Sequence, residues 1–218
     1  LSQAEIGEQL GLARSTASRL LLALEAEGLV MSTGPRGRYR LGPEITRLAS
    51  SARRNAWADW HPMLVEFSYE IGETVDLSIL EGDRALFVDQ VVADNRLQAV
   101  SGVGKSFPLH ACANGKALLA DLPDAERRRL LSGRLERFTD RTITSSAALR
   151  REIEQVRLDG IAYDREEMTE GVCAIGTSLG ESGGERLAVS VPIPTQRFAE
   201  REAQLRAALL DFAARFRA

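Results

Sequence analysis

Five side chains suited to nucleic-acid contact stand close together: Arg14, Ser15, Thr16, Ser18 and Arg19. Arginines neutralise phosphates and read guanine edges, and short hydroxyls donate to phosphate oxygens. Arg36 and Arg38 flank Gly37 further on and offer the same chemistry. Other groups point elsewhere. Gly176-Thr177-Ser178-Leu179-Gly180 matches the G-x-S-x-G pattern of a serine nucleophile, and Cys112 and Cys173 are the two thiols. The serine pattern works at a strand-to-helix turn, with an acid and then a histidine following in chain order. Here the next element reads as a strand and no histidine follows Ser178, so the match is taken as coincidental. A redox sensor needs an activated, accessible thiolate, whereas a buried apolar cysteine is the commoner case. With His61 and His110 the only histidines, a His-rich metal site is not expected, and neither is a cofactor.

The basic cluster needs elements to present it. Ser2 is placed to cap a short helix with Ile6 and Leu10 on one face and Gly11 as its stop. A second helix starts near Arg14, with the polar cluster in its first turns and Ala17, Leu20, Leu21 and Leu24 packing behind; Gly28 closes it. Leu29-Val30-Met31, a tight Gly34-Pro35-Arg36-Gly37 turn and Arg38-Tyr39-Arg40-Leu41 read as a two-stranded wing with a basic tip and a basic return strand. A helix-turn-helix followed by such a hairpin is the layout of a DNA-reading head, here residues 1–42. The plainer alternative is an αα-hairpin plus a β-hairpin that never meets nucleic acid.

Charge supports the first reading once it is divided. Through Arg54 the chain carries eight arginines and five glutamates, a surplus of +3, whereas the whole chain of 218 residues is at −3, leaving −6 for the remainder. A basic head on an acidic body is expected when one part meets phosphate. The 44% apolar and 27% charged composition is that of an ordinary soluble protein. No apolar run is long enough for a membrane span, no signal peptide opens the chain, and two cysteines make no disulfide framework, so the cytoplasm is the expected compartment.

Beyond Gly42-Pro43, Ile45, Leu48, Ala49, Ala52 and Ala56 form an apolar helical stripe, a linker helix over 43–60. Such a helix at a domain boundary either packs on its own domain or pairs with a second copy. Trp57 and Trp60 near its end favour a buried contact of one kind or the other, and a dimer-forming linker is the preferred reading. Pro62 interrupts it, and another helix runs from Pro62 to about Ile71. Val75–Ile79, Ala85–Val88 and Leu97–Ser101 read as strands, then a helix over His110–Leu122 and two more over Asp124–Ser132 and Ser145–Asp159. Ile161–Glu167, Val172–Leu179 and Arg186–Ile193 are a second group of three strands, and a final helix carries Leu205, Ala208, Leu209, Phe212 and Phe216 on one face. Two groups of hairpin-joined strands with helices between and after predict an α+β unit with an antiparallel sheet over 61–218.

Several stretches resemble the IclR family of bacterial transcriptional regulators. They are Ser2-Gln3-Ala4-Glu5-Ile6, Gly11-Leu12, Ser15-Thr16, Arg19-Leu20, Glu27-Gly28 and Tyr39-Arg40-Leu41-Gly42 in the head. Further on stand Pro108-Leu109-His110-Ala111, Gly115-Lys116-Ala117-Leu118-Leu119-Ala120, Asp164-Arg165-Glu166-Glu167 with Gly171-Val172, Ala188-Val189-Ser190-Val191, Pro194 and Arg197-Phe198. The resemblance implies a winged helix-turn-helix head, a linker helix and a GAF-like effector domain with a six-stranded antiparallel sheet flanked by helices. It also implies a homodimer or dimer of dimers, operator DNA and a small-molecule effector as partners, and no enzymatic activity. The family has a helix before the position of Leu1 that this sequence lacks, so the head is expected to be incompletely packed. By the same resemblance the effector pocket is lined by Phe107, Ala113, Asn114, Asp164, Ala174, Ser190 and Pro192.

Chemistry narrows that pocket. A helix beginning near His110 offers unpaired N–H groups and a positive dipole end to a carboxylate. Asn114 and Ser190 are placed to donate to an anion, and Asp164 to orient a ligand hydroxyl or receive a backbone N–H. Ala174 and Pro192 fall where some relatives carry a Cys and a Ser. Fewer donors and a Phe at the edge suit a ligand larger or more apolar than a two-carbon oxoacid. The expectation is thus a repressor switched by an organic acid. The rival is a small-molecule sensor or hydrolase whose head is a protein-interaction module; steep salt dependence of binding separates the two.

Overall fold

Ser2 opens helix α1 (Gln3–Gln9) through a reciprocal cap in which Glu5 N donates to Ser2 Oγ at 3.3 Å and Ser2 N donates to Glu5 Oε2 at 2.7 Å. The computed structural model describes residues 1–33, 37–52 and 58–216, without the side chains of 49–52 and 58. Gly34, Pro35 and Arg36 of the expected turn, and Ala56 and Trp57 of the expected linker, therefore lie outside the described residues. The chain divides into two compact units, Leu1–Asn55 and Ala56–Ala218.

In the first unit Gly11, at φ +62°, turns the chain into α2 (Arg14–Ala26). The two helices meet at Gly7 and Ala17, both buried; a methyl on Gly7 would stand 3.5 Å from that of Ala17. Leu21 is buried beside them, but Leu20 and Leu24 are 48% and 38% exposed, against expectation. The seven-residue α1 is the reason: such a helix spans about 10 Å and covers too little of α2 to bury all four apolar residues. Strand β1 (Val30–Thr33) pairs antiparallel with β2 (Arg38–Leu41), Val30 opposite Leu41 and Thr33 opposite Arg38. Tyr39 N donates to Leu1 O at 2.7 Å, so the start of the chain edges the wing. Gly42 follows and leads into α3 (Pro43–Ala52).

The second unit begins with a 3-10 turn at Ala58–Trp60 and α4 (His61–Ile71). Its strands are β3 (Val75–Glu81), β4 (Arg84–Val91), β5 (Ser106–Pro108), β6 (Ala162–Arg165), β7 (Val172–Ser182) and β8 (Glu185–Pro194). They form one antiparallel sheet in the order β5-β4-β3-β8-β7-β6. Between β5 and β6 lie α5 (Ala113–Asp121), α6 (Asp124–Leu130) and α7 (Ser146–Asp159), and α8 (Thr195–Ala214) ends the chain. One apolar layer joins α4 and α8 to the sheet, with Phe67 stacked on Phe212 at 4.4 Å; the other joins α5 and α7 to it through Leu118, Leu149 and Ile153.

Two expected elements are placed differently. Leu97–Ser101 is not a strand; the edge position belongs to Ser106–Pro108. Gly102 and Gly104, at φ +94° and +85°, break the extended run and re-enter it later, and Leu97 and Val100 stay exposed. The helix expected from His110 starts at Ala113, because Cys112 is extended and acts as its cap, Gly115 N donating to Cys112 Sγ at 3.3 Å. His110 thus precedes the helix, with Nε2 2.9 Å from Glu136 O.

Candidate DNA-binding head and effector site

Burying Ala17 and Leu21 turns the other side of α2 outward, and there Arg14, Ser15 and Arg19 are exposed, with Thr16 and Ser18 half-buried. Ala13 supplies no side-chain cap, so the first-turn N–H groups add a positive helix end to the two guanidinium groups. On β2, Arg38 and Arg40 are both exposed and, two residues apart, share a face. Arg40 belongs to the expected return strand but was not among the predicted contacts; its alternation with Arg38 is the signal that adds it.

The second site follows from strand register. Asp76, Ser190, Gly176 and Ala162 stand in one cross-strand row, and Pro192, Ala174 and Asp164 in a row two residues along. Side chains alternate with period two, so both rows point to one face, the one covered by α5 and α7. Ala113, at the start of α5, lies over this face; a methyl on Gly176 would be 3.5 Å from Ala113 Cβ and 3.0 Å from Ser190 Cβ. Of the predicted pocket residues, Ala113, Asn114, Asp164, Ala174, Ser190 and Pro192 are thereby brought to one layer. Phe107 lies on the opposite edge strand, half-buried and packed on Phe87 at 4.8 Å. Asn114 does not offer its amide outward: Nδ2 donates to Ser78 Oγ at 2.6 Å and to Ala188 O at 3.3 Å.

Charged groups crowd the same layer, and of these sequence reading passed over Asp76 and Lys116 as site residues. Asp76 is fully buried; Gln90 Nε2 and Ser101 Oγ each donate to it at 2.5 Å, yet burial pushes its carboxyl up to about 6. Burial, reinforced by the neighbouring Glu167 charge, pushes Asp164 up to about 7 against the opposing N–H of Glu167 and the Lys116 charge. Lys116, also fully buried, bonds Glu152 Oε1 at 2.7 Å, Glu167 Oε1 at 2.5 Å and Tyr163 O at 2.8 Å. It ties α5 to α7 and to the loop after β6.

The remaining chemical candidates are quiet. Burial pushes Cys112 up to about 12 and raises Cys173, so neither thiol is activated. Ser178 lies within β7, where Gly180 N donates to its Oγ at 3.0 Å, and not at a strand-to-helix turn. Among the described residues no group of three or more His, Cys, Asp or Glu is arranged to hold a metal, and no helix is long and apolar enough to cross a membrane. A cleft of about 530 Å³ opens at the far ends of α5 and α7, lined by Asp121, Arg157, Gly160 and Glu181 among others. It shares no residue with the predicted pocket, and its Asp121 and Arg157 are already paired with Arg186 and Glu154.

A winged helix-turn-helix joined to a sheet-and-helix domain with a buried polar face is the architecture of a ligand-responsive transcriptional regulator. The family model described as "Bacterial transcriptional regulator IclR C-terminal" matches residues 49–217, and "IclR helix-turn-helix domain" matches residues 1–33. The chain belongs to the IclR family, whose members are DNA-binding regulators and not enzymes. It is 61% identical to the HTH-type transcriptional regulator Rv1719 of Mycobacterium tuberculosis over 96% of this chain and 81% of that one. It is 30% identical to the transcriptional repressor IclR of Escherichia coli over 90% of this chain and 74% of that one. An IclR homologue from Microbacterium hydrocarbonoxydans, crystallised with 4-hydroxybenzoate, is similar in structure, with a TM-score of 0.82 and 25% identity over 99% of this chain and 91% of that one.

Proposed function

We propose that this chain is a cytoplasmic repressor that binds operator DNA as a homodimer or dimer of dimers and is switched by a small organic acid. The observation that carries the DNA reading is the two-sidedness of α2: Ala17 and Leu21 buried, Arg14, Ser15 and Arg19 exposed, with Arg38 and Arg40 on the adjoining wing. The repressor role is supported by the 30% identity to the Escherichia coli repressor. The acid effector is supported by the polar layer beneath the start of α5 and by the 4-hydroxybenzoate held by the structural relative. Such an effector acts only by favouring one arrangement of paired heads over another, since equal affinity shifts nothing.

The test is a titration of the full chain on duplex DNA from the flanks of its own gene. Affinity is expected to fall steeply between about 50 and 200 mM salt, and Arg14→Ala and Arg38→Ala each to weaken binding. Salt-independent association would sink the DNA reading. In a thermal-shift screen of carboxylic acids, a ligand at about 100 times its Kd adds about 2.7 kcal/mol, and Ser190→Ala is expected to reduce that gain.

A further inference from the structure

We propose that the effector face takes its organic acid together with one proton, held by Asp164 and donated to the ligand's carboxylate. The inference rests on reading this face as an acid-binding site. Asp164 is 5% exposed and faces α5. Its Oδ1 accepts from Glu167 N at 2.7 Å and Met168 N at 3.4 Å; among the described residues its Oδ2 has no hydrogen-bond partner. That oxygen is the one able to carry a hydrogen outward while Oδ1 keeps both backbone donors.

The surroundings supply no cation for a ligand carboxylate. From α5, Lys116 is committed to Glu152, Glu167 and Tyr163 O, and Cys112 is a neutral thiol. With Glu152 on α7 and Glu167 on the loop, the three carboxylates including Asp164 outnumber the single lysine, and the buried Glu167 Oε2 has no partner. Thr139 and Thr142 donate to the backbone oxygens of Glu166 and Glu167. Arg165 alternates to the opposite face, where it pairs with Glu202 at 2.7 Å. On β7 and β8, Ala174 and Pro192 bring no charge, and on β3 the next ionisable group is Asp76, a further carboxylate.

An ionised Asp164 would therefore repel the ligand, whereas a neutral one donates a hydrogen bond to it. Burial and the Glu167 charge hold Asp164 near 7, so the proton is available at neutrality. Asp76 is not the donor, because both of its oxygens already accept, from Gln90 and Ser101.

The experiment is calorimetry on the full chain with benzoate, 4-hydroxybenzoate and pyruvate at pH 6 and pH 8, each in two buffers of different ionisation enthalpy. Whichever acid binds is expected to bind about tenfold more weakly at pH 8, as the competent fraction of Asp164 falls, with about one proton taken up. Asp164→Asn donates from Nδ2 without titrating and is expected to give similar affinities at both pH values. A wild-type Kd that is independent of pH, without proton uptake, overturns the proton and leaves the acid site standing. Failure of every acid to bind at either pH overturns the acid reading and the proton with it. If Asp164→Asn fails to fold, the wild-type pH pair and proton count decide.

Discussion

Ser101 Oγ lies 2.5 Å from Asp76 Oδ2, so the later part of the irregular segment between β4 and β5 is fastened through this hydroxyl to the floor of the buried polar face. A hydrogen bond to a charged group contributes about 1.5–3 kcal/mol, and little else of the segment's centre is buried apart from Ala99. Ser101→Ala is expected to lower stability by an amount in that range and to speed hydrogen exchange of the amides around Val100. Unchanged exchange would show that the segment's other bonds suffice, namely those of Lys105 and Gly104 to Phe87, of Ala93 N to Thr74 Oγ1 and of Asn95 Nδ2 to Gly72 O and Glu73 Oε2.

Asp76 also sets a pH dependence. Its carboxyl titrates at about 6 in the folded chain against 3.8 ordinarily, so the folded state holds the extra proton between those values. Stability is then greatest on the acid side and falls as pH rises through that window, by on the order of 3 kcal/mol once the group is ionised. Asp76→Asn keeps an acceptor for Gln90, and the Ser101 hydroxyl turns to accept. Urea unfolding at pH 5 and pH 8 is expected to show the variant gaining on the wild type at pH 8 alone. An equal difference at both pH values would refute the assignment.

The same strand shows where the sequence was legible and where it was not. Alternation of Val75, Leu77 and Ile79 with Thr74, Asp76 and Ser78 specified the strand, and caps such as Ser2 and turns such as Gly11 specified the head's helices. Alternation alone reads the polar set as facing water, yet Thr74, Asp76 and Ser78 are all buried because α5 covers that face. Lys116 was equally opaque: within Gly115-Lys116-Ala117 nothing local indicates that a lysine will be closed in by Glu152 and Glu167, distant in sequence. The pocket residues were placed by resemblance, since their common face exists only once register pairs Asp164 with Ala174 and Ala174 with Pro192.

Removing the lysine from that cluster leaves two glutamates facing each other without their shared cation. Breaking a buried ion pair from one side costs about 3–5 kcal/mol. Lys116→Met is expected to fall in that range by urea denaturation, tempered by the part-exposed Glu152. Adding Glu167→Gln is expected to recover a substantial part, because the uncompensated charge goes with it. If the double variant is as unstable as the single one, the lysine's contribution is packing of its apolar stem.

Gly42 is the tightest backbone approach in the head. A methyl there would stand 2.0 Å from Gly28 O and 2.8 Å from Gly28 C, and neither is a side chain able to swing away. Gly28 itself sits at φ +69° to close α2, and Gly42 N donates to Leu29 O at 2.8 Å, so the return strand of the wing is locked against the end of α2. Gly42→Ala must push these segments apart, at a cost of about 1–3 kcal/mol or more. The strain falls within the unit Leu1–Asn55, whereas the sheet and its helices belong to Ala56–Ala218. The expected outcome is a variant that loses DNA binding while retaining the thermal transition of the larger unit and its response to an acid ligand. A variant that binds DNA as tightly as the wild type would show that the wing need not be held against Gly28 for α2 to reach its site.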